Sequence, residues 1–184
     1  MSNRLSHWLG KCWVCIVFGV IAAIMFAFIV PDAVSKLTEN RTLAPLILDE
    51  YYPTWATSQA QPFFAGLGDQ GRLAYRTYYL TLDFWFPVLS LTIFYTALLS
   101  LAFPQSSSWR ALNLAPLLMY AADMMENLNH FTMAGGYPEL PQWQITIGPF
   151  LSLVKYGLIT ALPLVALVGF WINRGAGTAN GPQS

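Results

Sequence analysis

The run of 19 consecutive uncharged residues from Cys12 to Val30 most constrains what this chain can fold into. A membrane-spanning helix needs about 20 apolar residues, whereas the apolar core of a signal peptide has roughly 7 to 15. In the bilayer a segment must satisfy its own backbone hydrogen bonds, which a helix does. We therefore predict a retained transmembrane helix over residues 10–31.

Three further apolar segments follow, and composition supports the same interpretation. Only 10% of the 184 residues are charged, whereas soluble domains carry about 25%. The segments predict spans over 78–103, 109–131 and 145–172. The sequence thus predicts an all-α integral membrane protein built as a four-transmembrane-helix bundle in one domain, 1–184.

The longest polar segment separates the first two predicted spans. Residues 32–77 contain five acidic and four basic residues together with many aromatic ones. The aromatic content predicts a folded extracytoplasmic cap with short helices at the membrane surface. The tail, 173–184, is rich in Gly, Ala and Asn and is predicted to be mobile.

The distribution of basic residues predicts the orientation. Short segments at one membrane face hold Arg4, Lys11, Arg110 and Arg174, whereas the short loop 132–144 at the other face has no Lys or Arg. By the positive-inside rule both termini are predicted to be cytoplasmic. We expect a multi-pass protein of a bacterial inner membrane rather than of the endoplasmic reticulum. A formal net charge of zero argues against a nucleic-acid partner.

One face of the third predicted span is polar. Asp123, Glu126, Asn127 and His130 are spaced i, i+3, i+4, i+7, so they share one side of a helix. Charged groups at membrane depth are costly and usually face a bundle interior or an aqueous cavity, where they pair with one another. This face is therefore predicted to line a site inside the bundle.

Two other spans bring ionisable residues to the same half of the membrane. In the predicted topology Asp83 lies ~7 Å and Lys155 ~15 Å below the outer edge, at 1.5 Å per residue. We expect Lys155 to pair with Asp123, its nearest match in depth, and Tyr156 to extend the polar stripe. His130 is expected at the outer rim, where it acts as an interfacial hydrogen-bonding residue.

Together these groups predict an outward-facing acidic pocket within the membrane. Three carboxyl groups against one lysine suit a cationic ligand, a general acid or a proton carrier. The candidate catalytic residues are Asp83, Asp123 and Glu126. The predicted ligand-binding residues are Asp83, Asp123, Glu126, Asn127, His130, Lys155 and Tyr156.

Simpler interpretations stay open beside this one. The acids and the lysine could form a structural ion-pair network that fixes helix register without binding anything. No metal site is predicted, because His7, the other histidine, lies at the opposite membrane face from His130; this also excludes a bis-histidine haem. Cys12 and Cys15 are interpreted as packing residues, and no particular cofactor is indicated.

The segment Asp83-Phe84-Trp85-Phe86-Pro87 places an acid at the start of a span, ahead of an aromatic and proline-containing stretch. With the chain length and the long first loop, it resembles the EXPERA-type four-helix membrane proteins, the sterol isomerase and sigma-2 receptor group. The resemblance implies a pocket for an amphiphilic amine or a sterol-like ligand, with Asp83 and Glu126 as cation partners. The third span departs from that pattern in Asp123-x-x-Glu126-Asn127, and the tail lacks a lysine-rich retrieval signal.

Three functions from different classes follow as hypotheses. The favoured one is a protein that binds a small amphiphile, lipid or cofactor in the acidic pocket. The second is a membrane-embedded acid/base enzyme acting on a lipid or isoprenoid-like substrate. The third is an accessory or structural subunit of a larger membrane complex. Membrane lipids are expected partners in each case, and a homo-oligomer is compatible with all three.

Overall fold

Helices form all the regular structure in the part of the chain that the structure describes. The fold is taken from a computed structural model. The described residues are 11–33, 57–83, 85, 87–104 and 106–178.

The first two helices depart from regular α-helical geometry, through π-helical turns and a bend. Helix α1, Cys12–Ile24, continues into a π-helical turn, Met25–Ile29. Helix α2, Thr57–Tyr78, is bent at Gly68, whose φ of 61° is accessible to glycine without steric cost. A second π-helical turn, Tyr79–Asp83, follows α2 directly.

The remaining helices form an up-and-down arrangement. Helix α3 is Pro87–Ala102, and its first residue is a proline, which the first turn of a helix tolerates because it lacks only an unused N–H donor. A 3₁₀ turn, Arg110–Leu114, leads into helix α4, Ala115–Gly136. Helix α5, Gln142–Thr178, is the longest, with 37 residues.

Three helical segments in the described part are long and apolar enough to cross a membrane: Cys12–Ala33, Ser58–Ala102 and Gln142–Ile172. This agrees with the predicted all-α membrane protein. Helix α4 is not among them, because the polar residues at its centre lower its mean hydropathy.

The second helix differs most from expectation. It begins at Thr57, 21 residues before position 78, where the sequence predicted the span to start. Glycines and charged residues over this stretch lower its hydropathy and conceal its continuity with the span. Most of the first half of the predicted cap, 34–56, and the end of the predicted tail, 179–184, lie outside the described residues.

Two apolar layers hold the bundle together, one on each side of a polar layer. The first apolar layer joins α2 to the facing ends of α4 and α5; the second joins α3 to their other ends. Residues of the first apolar layer include Phe64, Tyr75, Tyr79, Met133 and Ile145. Residues of the second apolar layer include Tyr95, Leu99, Phe103, Met119 and Leu162.

The outer faces of the helices are apolar. Ile16 on α1, Phe28 on the π-helical turn after it and Trp171 on α5 are among the most exposed side chains, each more than 60% exposed. A bundle in water would place such residues inside and polar ones outside. The reversed pattern fits helices whose outer surface meets lipid.

Candidate functional site

The polar face of α4 points into the bundle, between the two apolar layers. Asp123, Glu126 and His130 are 0% exposed and Asn127 is 1% exposed. Helix geometry places them together on one side, as the i, i+3, i+4, i+7 spacing predicts. Burial of this whole face makes the polar layer the candidate functional site.

Lys155 on α5 connects the two acids of α4. Its Nζ atom lies 3.4 Å from Oδ1 of Asp123 and in direct contact with Oε2 of Glu126. Ser152, one turn earlier on α5, donates a hydrogen bond to Oε1 of Glu126. The sequence predicted Asp123 as the lysine's partner, whereas Glu126 is the closer one. Depth counting places residues along the membrane normal but does not determine how far each helix is rotated.

An asparagine amide extends this polar layer. The Nδ2 atom of Asn127 donates to Oδ2 of Asp123 at 3.3 Å. Its Oδ1 atom is buried and accepts no hydrogen bond from the residues that the structure describes. The layer therefore contains an acceptor oxygen available to a donor group of a ligand or a water molecule.

Tyr156 lies at the edge of the same layer. The Nζ atom of Lys155 is 4.8 Å from the centroid of the Tyr156 ring, within the range of a cation–π interaction. Tyr156 is therefore placed beside the lysine, where it was expected.

His130 is enclosed by two tyrosines of the α2 region. Its Nδ1 atom lies 2.6 Å from the Tyr75 hydroxyl, and the Tyr79 ring stacks on the imidazole at 4.8 Å and 8°. His130 was expected at the outer rim as an interfacial hydrogen-bonding residue; it is fully buried, because α2 extends into the predicted cap and covers this end of the site. Sequence reasoning missed both tyrosines, because their i, i+4 spacing shows only that they share a helix face and not that this face covers His130.

Asp83 lies at the periphery of the site. It is the last residue of the π-helical turn and accepts a hydrogen bond from the Tyr78 hydroxyl at 3.4 Å. The Tyr78 ring packs edge-on against Tyr79, with centroids 5.1 Å apart. Tyrosine rings thus connect Asp83 to His130.

The polar layer is closed in this conformation. Asp123 and Glu126 were predicted to line the mouth of an outward-facing pocket, but both are fully buried. A groove of about 570 Å³ does run along α2, lined by residues that include Gln70, Thr77 and Tyr78. Tyr78 links this groove to Asp83, so the groove approaches the periphery of the site and not its centre.

The metal-ligating side chains of the described residues do not gather in groups of three or more that could hold an ion. The groups in the polar layer can accept a cation, donate hydrogen bonds and transfer protons. No protein-family model matches the chain, and neither a curated protein nor a solved structure does.

Proposed function

We propose that this chain is a four-span membrane protein that binds a small amphiphile through a cationic group at the polar layer. The observation that carries the proposal is that two buried carboxylates converge on one buried ammonium, that of Lys155. With all three ionised, the group carries one excess negative charge. A ligand ammonium would balance that charge where the low dielectric makes compensation most valuable.

The amphipathicity of α4 supports its role as the fourth span. Its buried face is polar, whereas Leu118, Met125 and Leu128 on the opposite side are each more than half exposed. Its 22 residues correspond to ~33 Å, enough to cross a hydrocarbon core of about 30 Å. An apolar outer face around a polar inner face is what a pocket-lining membrane helix requires.

The proposed topology places both termini in the cytoplasm and the loop 32–77 outside, in a bacterial inner membrane. The support is the excess of Lys and Arg in the short segments at one face. In this orientation the polar layer lies in the outer half of the membrane, and α2 covers its outer side.

Ligand entry in this proposal requires α2 to move. Tyr75 and Tyr79 close the site over His130. The bend at Gly68 precedes both tyrosines, and the π-helical turn, Tyr79–Asp83, begins at the second of them. Such irregularities are where a helix bends most easily, so the segment between them can swing as a unit.

Thermal unfolding with matched ligands tests this function. Dodecylamine should raise the unfolding temperature of the detergent-solubilised protein, whereas dodecanol at the same concentration should not. Asp123→Asn and Glu126→Gln should each weaken the amine effect, because each removes a carboxylate from the cation site. Glu139→Gln, at an exposed position beyond α4, is the matched control and should respond like the wild type. Equal stabilisation by amine and alcohol would contradict the proposal.

The second candidate is an acid/base enzyme acting on a lipid or isoprenoid-like substrate. The contact of His130 with the Tyr75 hydroxyl, beside buried acids, favours it, because a general acid or base must lie within hydrogen-bond distance of its proton partner. A panel of lipid and isoprenoid substrates would be tested for turnover by mass spectrometry. Turnover that His130→Gln abolishes without loss of folding would support this candidate, and absence of turnover across the panel would count against it.

A further inference from the structure

A second groove lies at the other end of the bundle, about ten or more residues along α5 from Lys155. It has a volume of about 330 Å³ and lies between the α3–α4 connection and the C-terminal half of α5. Its lining is almost entirely apolar. The lining residues include Phe103, Trp109, Leu112, Leu164, Val168 and Ile172.

The floor of the groove depends on a glycine. A Cβ atom at Gly169 would lie only 2.6 Å from Cζ of Phe103, so the Phe103 ring occupies space that a side chain would fill. The Nδ2 atom of Asn113 donates a hydrogen bond to the Phe103 carbonyl at 3.0 Å. The absence of a side chain at Gly169 thus lets the Phe103 ring pack against α5, and the Asn113 bond holds the Phe103 backbone.

The outer wall runs along the helix axis. Leu164, Val168 and Ile172 are spaced i, i+4, i+8, which extends ~12 Å along α5. They belong to Gln142–Ile172, a segment able to span a membrane. The groove therefore follows the direction in which lipid acyl chains lie.

A tryptophan lines the groove, and an exposed arginine follows it in the chain. Trp109 lines the groove and is 59% exposed, and its backbone N–H donates to the Ser107 hydroxyl at 3.2 Å. Arg110, the next residue, is exposed. Trp and Arg are typical of the membrane–water interface, where arginine meets lipid phosphate.

We propose that this groove binds one acyl chain of an anionic phospholipid, with Arg110 contacting the headgroup. The charge of Arg110 complements a lipid of net negative charge, and the apolar lining complements its chain. The inference rests on the membrane placement of the chain and not on ligand binding at the polar layer.

Native mass spectrometry of the full chain, released from mild detergent with added phosphatidylglycerol or phosphatidylcholine, tests this inference. The wild type should retain phosphatidylglycerol at several-fold higher occupancy than phosphatidylcholine. Arg110→Gln should remove most of this preference, because the headgroup loses its cation. Val168→Trp should fill the groove and reduce occupancy by either lipid several-fold.

Leu167→Trp is the matched control, since Leu167 is 64% exposed on the same helix and does not line the groove. It should bind lipid as the wild type does. Leu164→Trp serves as a second groove-filling variant if Val168→Trp is not monodisperse. Equal occupancy in the groove-filling and control variants would overturn the proposal. The proposal would also be overturned if the groove-filling variants lost a bound protein and not a bound lipid, because the groove would then be a protein interface.

Discussion

The polar layer and the second apolar layer share helices α4 and α5, yet on these helices they bury opposite kinds of side chain. On α4 and α5 the polar layer buries Glu126 and Lys155, whereas the second apolar layer buries Met119 and Leu162. Helices in lipid gain little hydrophobic free energy from association, so close packing holds the apolar layer together. The stability of the polar layer instead depends on each buried charge having a partner of opposite charge.

Stability alone would require the apolar layer but not the polar layer. Each buried ion costs several kcal/mol of desolvation, and buried ion pairs can often be replaced by apolar residues without loss of stability. A bundle selected only for stability could extend its apolar packing through the middle of α4. The acids of α4 and the lysine of α5 are therefore the residues whose role the binding proposal has to explain.

Breaking the ion pairs should produce the largest effect. Lys155→Met leaves Asp123 and Glu126 facing each other without the ammonium and should lower the free energy of unfolding by ~3–5 kcal/mol. Thermal or chaotrope unfolding in detergent would measure it. Arg110→Gln, which removes an exposed charge, is the control and should change stability little. A wild-type unfolding curve for Lys155→Met would show that the lysine is not the counter-ion.

Overpacking the second apolar layer should have the next largest effect. Gly169→Ala puts a methyl group against the Phe103 ring and should destabilise the protein by ~1–3 kcal/mol. Gly157→Ala is the matched control on α5, because a Cβ there meets no atom within 4 Å. Unfolding measurements that rank the two variants equally would contradict the close contact of α5 with Phe103.

A smaller loss of stability is expected from a substitution where α2 covers the polar layer. Tyr75→Phe removes the hydroxyl that contacts Nδ1 of His130 and should cost ~1 kcal/mol. It should also loosen α2, which hydrogen exchange of the α2 amides would detect as faster exchange. Tyr120→Phe on α4, outside this contact, should leave both measurements unchanged. Unaltered exchange in Tyr75→Phe would argue against a role of this hydroxyl in holding α2 over the polar layer.

The smallest effect is expected at the periphery. Asp83→Asn keeps the shape of a side chain whose bond to Tyr78 is long, 3.4 Å, and should change stability by less than ~0.5 kcal/mol. It should also weaken dodecylamine binding less than Glu126→Gln does. A larger loss of binding in Asp83→Asn, measured by the same titration, would move the cation site toward Asp83, as the EXPERA-type resemblance implies.

The sequence predicted the contents of the polar layer better than its accessibility. Helical spacing was enough to predict that Asp123 and Glu126 share a face, and depth counting brought Lys155 to their level. The enclosing residues Tyr75 and Tyr79 could not be recognised in the same way. They precede or begin the predicted span, and only the tertiary path of α2 brings them over His130. Whether a site is open or closed depends on such packing and not on local pattern.

Binding of dodecylamine to a charge-free polar layer tests the central claim most directly. The combined variant Asp123→Asn, Glu126→Gln, Lys155→Met removes the buried charges together, so it leaves no unpaired buried charge and should be more stable than Lys155→Met alone. Isothermal titration in detergent should then show dodecylamine binding to the wild type and at least tenfold weaker binding to the folded variant. Wild-type affinity in the folded variant would contradict a cation-binding role for the polar layer.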